Sequence, residues 1–148
     1  MQKLNFPTYN FRFKNSENKL FIFDDIRKKF VVLQPEEWVR QNCIQFLMQE
    51  KHYPKSLINV EKEIRINDLK KRYDIVVYNS DGTIHLIVEC KSHKILISQH
   101  TFDQIARYNM SVNASFLMVT NGLNHYYCTI DPKNEHYSFL KELPKYSK

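Results

Sequence analysis

Glycine is nearly missing from this chain: Gly82 and Gly122 are the only two in 148 residues. Neither a G-x-G-x-x-G nor a GxxxxGK[ST] loop can be written with them, which excludes the phosphate cradles of dinucleotide-binding and P-loop folds. Cysteine is scarce as well. Cys43, Cys90 and Cys128 are odd in number, far apart and set among apolar residues, the pattern of reduced core thiols in a cytoplasmic protein and not of a disulfide framework. No CxxC pair and no HExxH occurs, so the usual zinc signatures are absent. His85, His93, His100 and His125 lack ligand-like spacing and are assigned no role. The first twenty residues contain no apolar signal-like core, and no run approaches membrane-spanning length, so no membrane partner is expected.

What remains is a chain built to fold. Hydrophobic residues make up 43% and aromatics 14%, enough at this length for one well-buried domain. Lys and Arg number 22 against 16 Asp and Glu, a formal charge of +6, which favours a polyanionic partner. Arg27-Lys28-Lys29 and Lys70-Lys71-Arg72 are candidate phosphate contacts, although charge runs are most often solvated faces.

Residues 1–34 read as an N-terminal extension, 35–131 as the core and 132–148 as a tail. Aromatic and aliphatic residues from Tyr9 to Phe23 flank KNSENK and predict a β-hairpin. Pro35 with Glu36 and Glu37 marks a helix start. Val39, Cys43, Phe46 and Leu47 supply one apolar face of a helix over 35–51. Three strands follow: a half-buried one over 57–66, a second over 72–78, and a third over 84–91, apolar on both faces until its end. Asn79-Ser80-Asp81-Gly82 turns the second into the third. Ser98 or Thr101 caps a second helix over 98–110, with Thr101 and Gln104 at capping-box spacing. Strands over 115–120 and 123–130 are joined at Asn121-Gly122, and the tail is expected to be a short helix near Phe139-Leu140 or irregular.

An acidic residue, any residue, then Lys occurs four times, at 17/19, 68/70, 89/91 and 131/133. Only Glu89-Cys90-Lys91 ends an apolar strand, where two charges are costly unless each has a partner or a task. The bland explanation is a structural salt bridge. Asp74, on the strand before the Asp81-Gly82 turn, adds a second carboxylate expected near Glu89 if the two strands pair. Paired carboxylates repel, and a few oxygen ligands completed by water suit Mg²⁺ or Mn²⁺. Such a metal polarises a phosphoryl oxygen and lowers the pKa of bound water, with Lys91 placed to orient or help deprotonate that water.

The order helix, three-strand meander carrying an Asp and an E-x-K, helix, strand resembles the αβββαβ core of the PD-(D/E)xK nuclease superfamily, with Tyr73-Asp74 in place of PD. Within it, PEEWVRQ (35–41), KRYDIVVYN (71–79), LIVECK (86–91), TFDQIARYN (101–109) and VTNGL (119–123) resemble the N-terminal nuclease domain of type I restriction enzyme R subunits. The expected architecture is therefore a restriction-endonuclease-like α/β fold: a mixed central sheet flanked by helices, with an N-terminal hairpin.

The resemblance further implies that Asp74, Glu89 and the carbonyl of Cys90 hold Mg²⁺ or Mn²⁺, with Lys91 the catalytic lysine. Glu36 or Glu37 would be an additional acid, Glu36 being preferred because it can pair with Arg40 at i+4; an ordinary first-turn carboxylate is the alternative. Gln104 and Tyr108 match a Q-x-x-x-Y element beside such sites, or equally a surface hydrogen bond. An R subunit continues into a helicase motor that 148 residues cannot contain, so translocation is not expected of this polypeptide. The expected activity is metal-dependent hydrolysis of DNA, endonuclease before exonuclease. The expected partners are DNA and either a second copy or a larger restriction-like assembly. The other class is a non-catalytic nucleic-acid-binding or assembly module on the same fold.

Overall fold

Every residue of Ile75-Val76-Val77 and of Leu86-Ile87-Val88 is fully buried, which strands permit only where both faces of their sheet are covered. The computed structural model describes residues 1–147, leaving the last residue of the expected tail outside, and it shows both covers. A six-stranded mixed sheet runs in the order β4 (Ile58–Ile66), β5 (Leu69–Tyr78), β6 (Ile84–Cys90), β7 (Phe116–Thr120), β8 (His125–Asp131) and β9 (His136–Leu140). All neighbours are antiparallel except β6 and β7. That parallel pair needs a crossover, and helix α2 (Gln99–Tyr108) lies in the connection. The expected α/β fold with a mixed central sheet is what forms.

Helix α1 (Pro35–Gln49) begins at Pro35 with Glu36 and Glu37 in its first turn, favourable against the helix dipole. Its Val39, Cys43, Ile44 and Leu47 share one core with Ile75, Val77, Leu86, Val88 and Cys90. Phe102 and Ala106 of α2 share the opposite core with Tyr73, Val76, Ile87, Leu117 and Val119. Ser98 caps α2 by accepting from the Thr101 N–H, so of the two candidate caps it is Ser98 that serves. No helix of the described residues is long and apolar enough to cross a membrane.

Two ends differ from the sequence-based expectation. The N-terminal hairpin gains a third strand: β1 (Phe13–Ser16), β2 (Lys19–Asp24) and β3 (Lys29–Val32) form an antiparallel sheet in that order. Asp24 makes this possible, because its Oδ1 accepts the N–H groups of Ile26 and Arg27 and so closes the turn into β3. The tail forms neither helix nor irregular coil around Phe139, but strand β9, paired along β8 from Tyr127↔Leu140 to Asp131↔His136. Phe139 there meets the Phe102 ring at 4.8 Å, a tertiary contact that local sequence does not encode.

Candidate functional site

β5 and β6 stay paired only as far as Ile75↔Val88. Beyond that, β5 runs on beside β4 to Leu69, while Glu89 and Cys90 pair only with Val119 and Thr120 of β7. The two strands therefore part at Asp74 and Glu89, and the notch between them is bridged by a side chain: Asp74 Oδ2 accepts the Cys90 N–H at 2.8 Å. Such a carboxylate stands in for the missing ladder bond of a buried amide.

Simple alternation does not put Asp74 and Glu89 on one flat face. Tyr73 belongs to the α2-side core and Ile75 to the α1-side core, so the alternation of β5 slips at Asp74. Its other oxygen, Oδ1, accepts from Arg40 Nη2 of α1 at 3.0 Å. Glu89 alternates with Ile87 of the α2-side core, and Lys71 is among the charges that act on it. The two carboxylates meet across the notch, near enough that Asp74 raises the Glu89 pKa. Burial is the larger cause of that rise, and Lys91, Nζ 3.8 Å from Glu89 Oε2, opposes it.

Glu36 joins the group from α1. Its carboxyl is pushed above the usual range first by desolvation and then by Asp74, while Arg40 and Lys91 pull it down. The expected Glu36–Arg40 pair does not form. Arg40 turns instead to Glu37 one residue on (3.1 Å), to Glu61 (3.4 Å) and to Asp74, because at 7% exposure it needs partners on the sheet side of the helix. Glu37 is also held by both Arg27 and Gln41. Glu36 makes no ion pair among the described residues. A cleft of about 460 Å³ opens here, lined among others by Glu36, Glu37, Arg40, Glu61 and Asp74.

Gln104 and Tyr108 lie one turn apart on α2, both exposed. Tyr108 reaches the site through Lys71, whose ammonium sits 3.0 Å from the ring centroid and donates to Asn109 Oδ1 at 2.7 Å. Burial lowers the Lys71 pKa to about 8 despite the opposing charge of Glu89. Gln104 makes no side-chain hydrogen bond among the described residues.

The sequence offers Arg40 only as an i+4 partner for Glu36 and Lys71 only within a run of candidate phosphate contacts, and gives neither its place beside Asp74 or Tyr108. Their proximity to motif residues, Arg40 at i+4 from Glu36 and Lys71 three before Asp74, was the signal available.

The donor set fits a hard, hydrated cation better than a closed metal cage. No group of three or more His, Cys, Asp or Glu side chains is placed to hold a metal among the described residues. Two carboxylates with water completing the shell is a Mg²⁺-like arrangement. Arg40 Nε and the Tyr73 hydroxyl belong to residues that line the cleft with Asp74 and are buried without a partner among the described residues, so polar capacity remains for water or another ligand. The Cys90 thiol is 1% exposed and faces the α1-side core with Cys43, leaving only its backbone for such a role.

The family model for the type I restriction enzyme R protein N terminus matches residues 35–144. A search of curated proteins returns no match. With well over half its length matched, the chain belongs to that family.

Proposed function

Taking that membership as premise, we propose that the protein hydrolyses DNA phosphodiester bonds with Mg²⁺ or Mn²⁺, as an endonuclease before an exonuclease. The observation that carries this is the notch where β5 and β6 part, at which Asp74 and Lys91 each act electrostatically on both Glu89 and Glu36. Asp74, Glu89 and the Cys90 carbonyl would hold the metal, whose chemistry is to polarise the phosphoryl oxygen and acidify water.

The chain's own residues have distinct tasks. The Cys90 N–H fixes Asp74 in orientation. Burial keeps Glu89 short of solvent compensation, so its carboxylate favours a cation. Lys91, half-exposed beside Glu89, orients the attacking water and takes or shares its proton. Glu36 feels the charges of Asp74 and Lys91 and makes no ion pair among the described residues, which supports it over Glu37 as the additional acid. Tyr108 supports Lys71, and Gln104, exposed one turn earlier on the same helix, would act beside the site with it.

The partners we propose are DNA and, in keeping with the family, a larger restriction-like assembly or a second copy. The three free, buried cysteines agree with a cytoplasmic setting. A second reading, a non-catalytic nucleic-acid-binding or assembly module, is favoured by one observation: Arg40 already neutralises Asp74. Incubation with circular and linear DNA in Mg²⁺ or Mn²⁺, beside Asp74→Ala, separates the two. Asp74-dependent nicking of circles supports the endonuclease. DNA binding without cleavage of any form supports the module.

A further inference from the structure

The family match begins at residue 35, and the three-stranded sheet before it has a face that the site does not use. Ile22 and Asp24 of β2 are buried, and Phe11 and Phe13 meet Trp38 of α1; that side is the packed one. The register sets the other side. Lys14 pairs with Phe21, Phe23 with Phe30, and Phe21 with Val32, while the Phe23 N–H donates to the Arg12 carbonyl. Arg12, Lys14, Phe21, Phe23, Phe30 and Val32 thus stand together on the outer face, and Lys19 alternates with Phe21 onto it.

Three phenylalanines on a solvent face are unusual, since the open side of an antiparallel sheet is ordinarily polar. They are half-buried, with Phe23 and Phe30 edge-to-face at 5.2 Å, and cations lie over their rings. The Arg12 guanidinium lies 4.4 Å from the Phe23 centroid and 5.6 Å from that of Phe30. The Lys14 ammonium lies 4.8 Å from Phe30 and 5.7 Å from Phe21. Charge is concentrated here too: residues 1–34 carry seven Lys and Arg against three Asp and Glu, four of the chain's six net positive charges.

We propose that this face binds a single DNA strand, its bases stacking on Phe21, Phe23 and Phe30 and its phosphates meeting Arg12, Lys14 and Lys19. Aromatics give every base a platform and cations follow the backbone, the combination by which sheets bind single strands without sequence preference. A duplex hides its base faces and would use the cations alone. The cations move from ring to phosphate, so both groups stay partnered in the free and the bound protein. Val32 belongs both to this face and to the lining of the cleft with Glu36 and Asp74, so a strand lying on the meander leads toward the notch. This goes beyond the hydrolytic reading and does not depend on it.

The test is fluorescence anisotropy of labelled oligodeoxythymidylate and of a duplex of equal length, with the full chain in EDTA so that cleavage plays no part. The single strand is expected to bind more tightly than the duplex. Arg12→Gln with Lys14→Gln should weaken it and reduce the salt slope by about 1.4, as loss of two phosphate contacts requires. Phe23→Leu with Phe30→Leu keeps apolar volume and should weaken single-strand binding about tenfold while sparing the duplex. Melting curves establish that each variant is folded, and Phe23→Tyr, which keeps a ring, should rescue. Unchanged affinity and salt slope in the charge variant overturns the proposal. Equal losses for strand and duplex in the phenylalanine variant, or no loss for either, overturns the stacking on which it rests.

Discussion

Arg40 and the Cys90 N–H between them occupy both oxygens of Asp74, at 3.0 and 2.8 Å. One contact is backbone and fixed by the sheet. The other is a guanidinium, a cation standing against the carboxylate proposed to hold Mg²⁺. Arg40 is nearly buried and further held by Glu37 and Glu61, so it cannot simply swing into solvent. On the metal-dependent reading, Mg²⁺ and Arg40 would compete for Asp74, and the metal affinity would reflect the difference between them.

Arg40→Met should expose that competition. Removing one partner of a buried pair leaves Asp74 without its cation, while Glu37 keeps Arg27 and Gln41; the expected loss is about 3 kcal/mol in EDTA. The same change frees Asp74 Oδ1, so the Mn²⁺ concentration at which the melting temperature rises should fall about tenfold. Thermal shift across a Mn²⁺ series reads both effects. A metal midpoint equal to that of the wild type would mean that Arg40 and the metal do not share Asp74.

Glu89→Gln tests the other carboxylate. Its folded pKa lies above the usual value of 4.5, chiefly through burial. The folded state then binds the proton more tightly than the unfolded one. The stability Glu89 contributes is full below 4.5 and is lost as pH rises through the folded pKa. At neutral pH the charge is a burden, so the amide should raise the melting temperature in EDTA by about 2–4 °C, the shift expected for about 1 kcal/mol. It should also abolish stabilisation by Mn²⁺. A variant less stable in EDTA, with its metal response intact, would assign Glu89 to the salt bridge with Lys91 and not to a metal.

Much of the frame was legible because the strongest signals were periodic and local: Pro35 with two acids, the runs at Ile75 and Leu86, and the Asn121-Gly122 turn. Gly122, at φ +86, adopts a backbone that L side chains avoid. What local pattern could not carry was pairing. Lys29–Val32 became a strand because Asp24 closes a turn onto it, and His136–Leu140 because β8 offered an edge. The same limit applies at the site. Strand parity put Glu89 and Lys91 together but gave no hint that β5 and β6 part at Asp74. Helix spacing offered Arg40 to Glu36, whereas the rotation of α1 against the sheet turned it to Glu37 and Asp74.

Asp24 should govern acid stability. It is fully buried and accepts from the Ile26 and Arg27 N–H groups, Arg27 Nε and Gln41 Nε2. Burial alone would raise its pKa, but these hydrogen bonds and the Arg27 charge outweigh it and hold the pKa below 3.8. Its stabilisation is thus present above 3.8 and lost as pH falls through the depressed folded value. Asp24→Asn should cost about 3 kcal/mol at neutral pH, because Arg27 loses its closest buried partner. Urea denaturation at a series of pH values should show the variant and wild type converging in acid. A gap that stays constant down to the acid limit would show that the charge of Asp24 contributes little.

Lys91→Ala should remove cleavage and leave capture of DNA nearly intact. Its ammonium is one of 22 basic side chains, so its share of a diffuse attraction to phosphates is small. Its position is not replaceable in the same way. It is the cation that acts on both Glu36 and Glu89, and Lys71 lies on the α2 side, tied to Tyr108 and Asn109. The expected loss in cleavage rate is about a hundredfold or more, the scale for a group that moves a proton or stabilises charge at the reacting phosphate. Losing the 3.8 Å contact with Glu89, a half-exposed pair, should change stability by less than about 1 kcal/mol. Single-turnover cleavage at saturating DNA, alongside binding in EDTA, separates chemistry from affinity. A variant that binds weakly yet cleaves at the wild-type rate once saturated would make Lys91 a phosphate anchor and transfer the proton-handling role to another group.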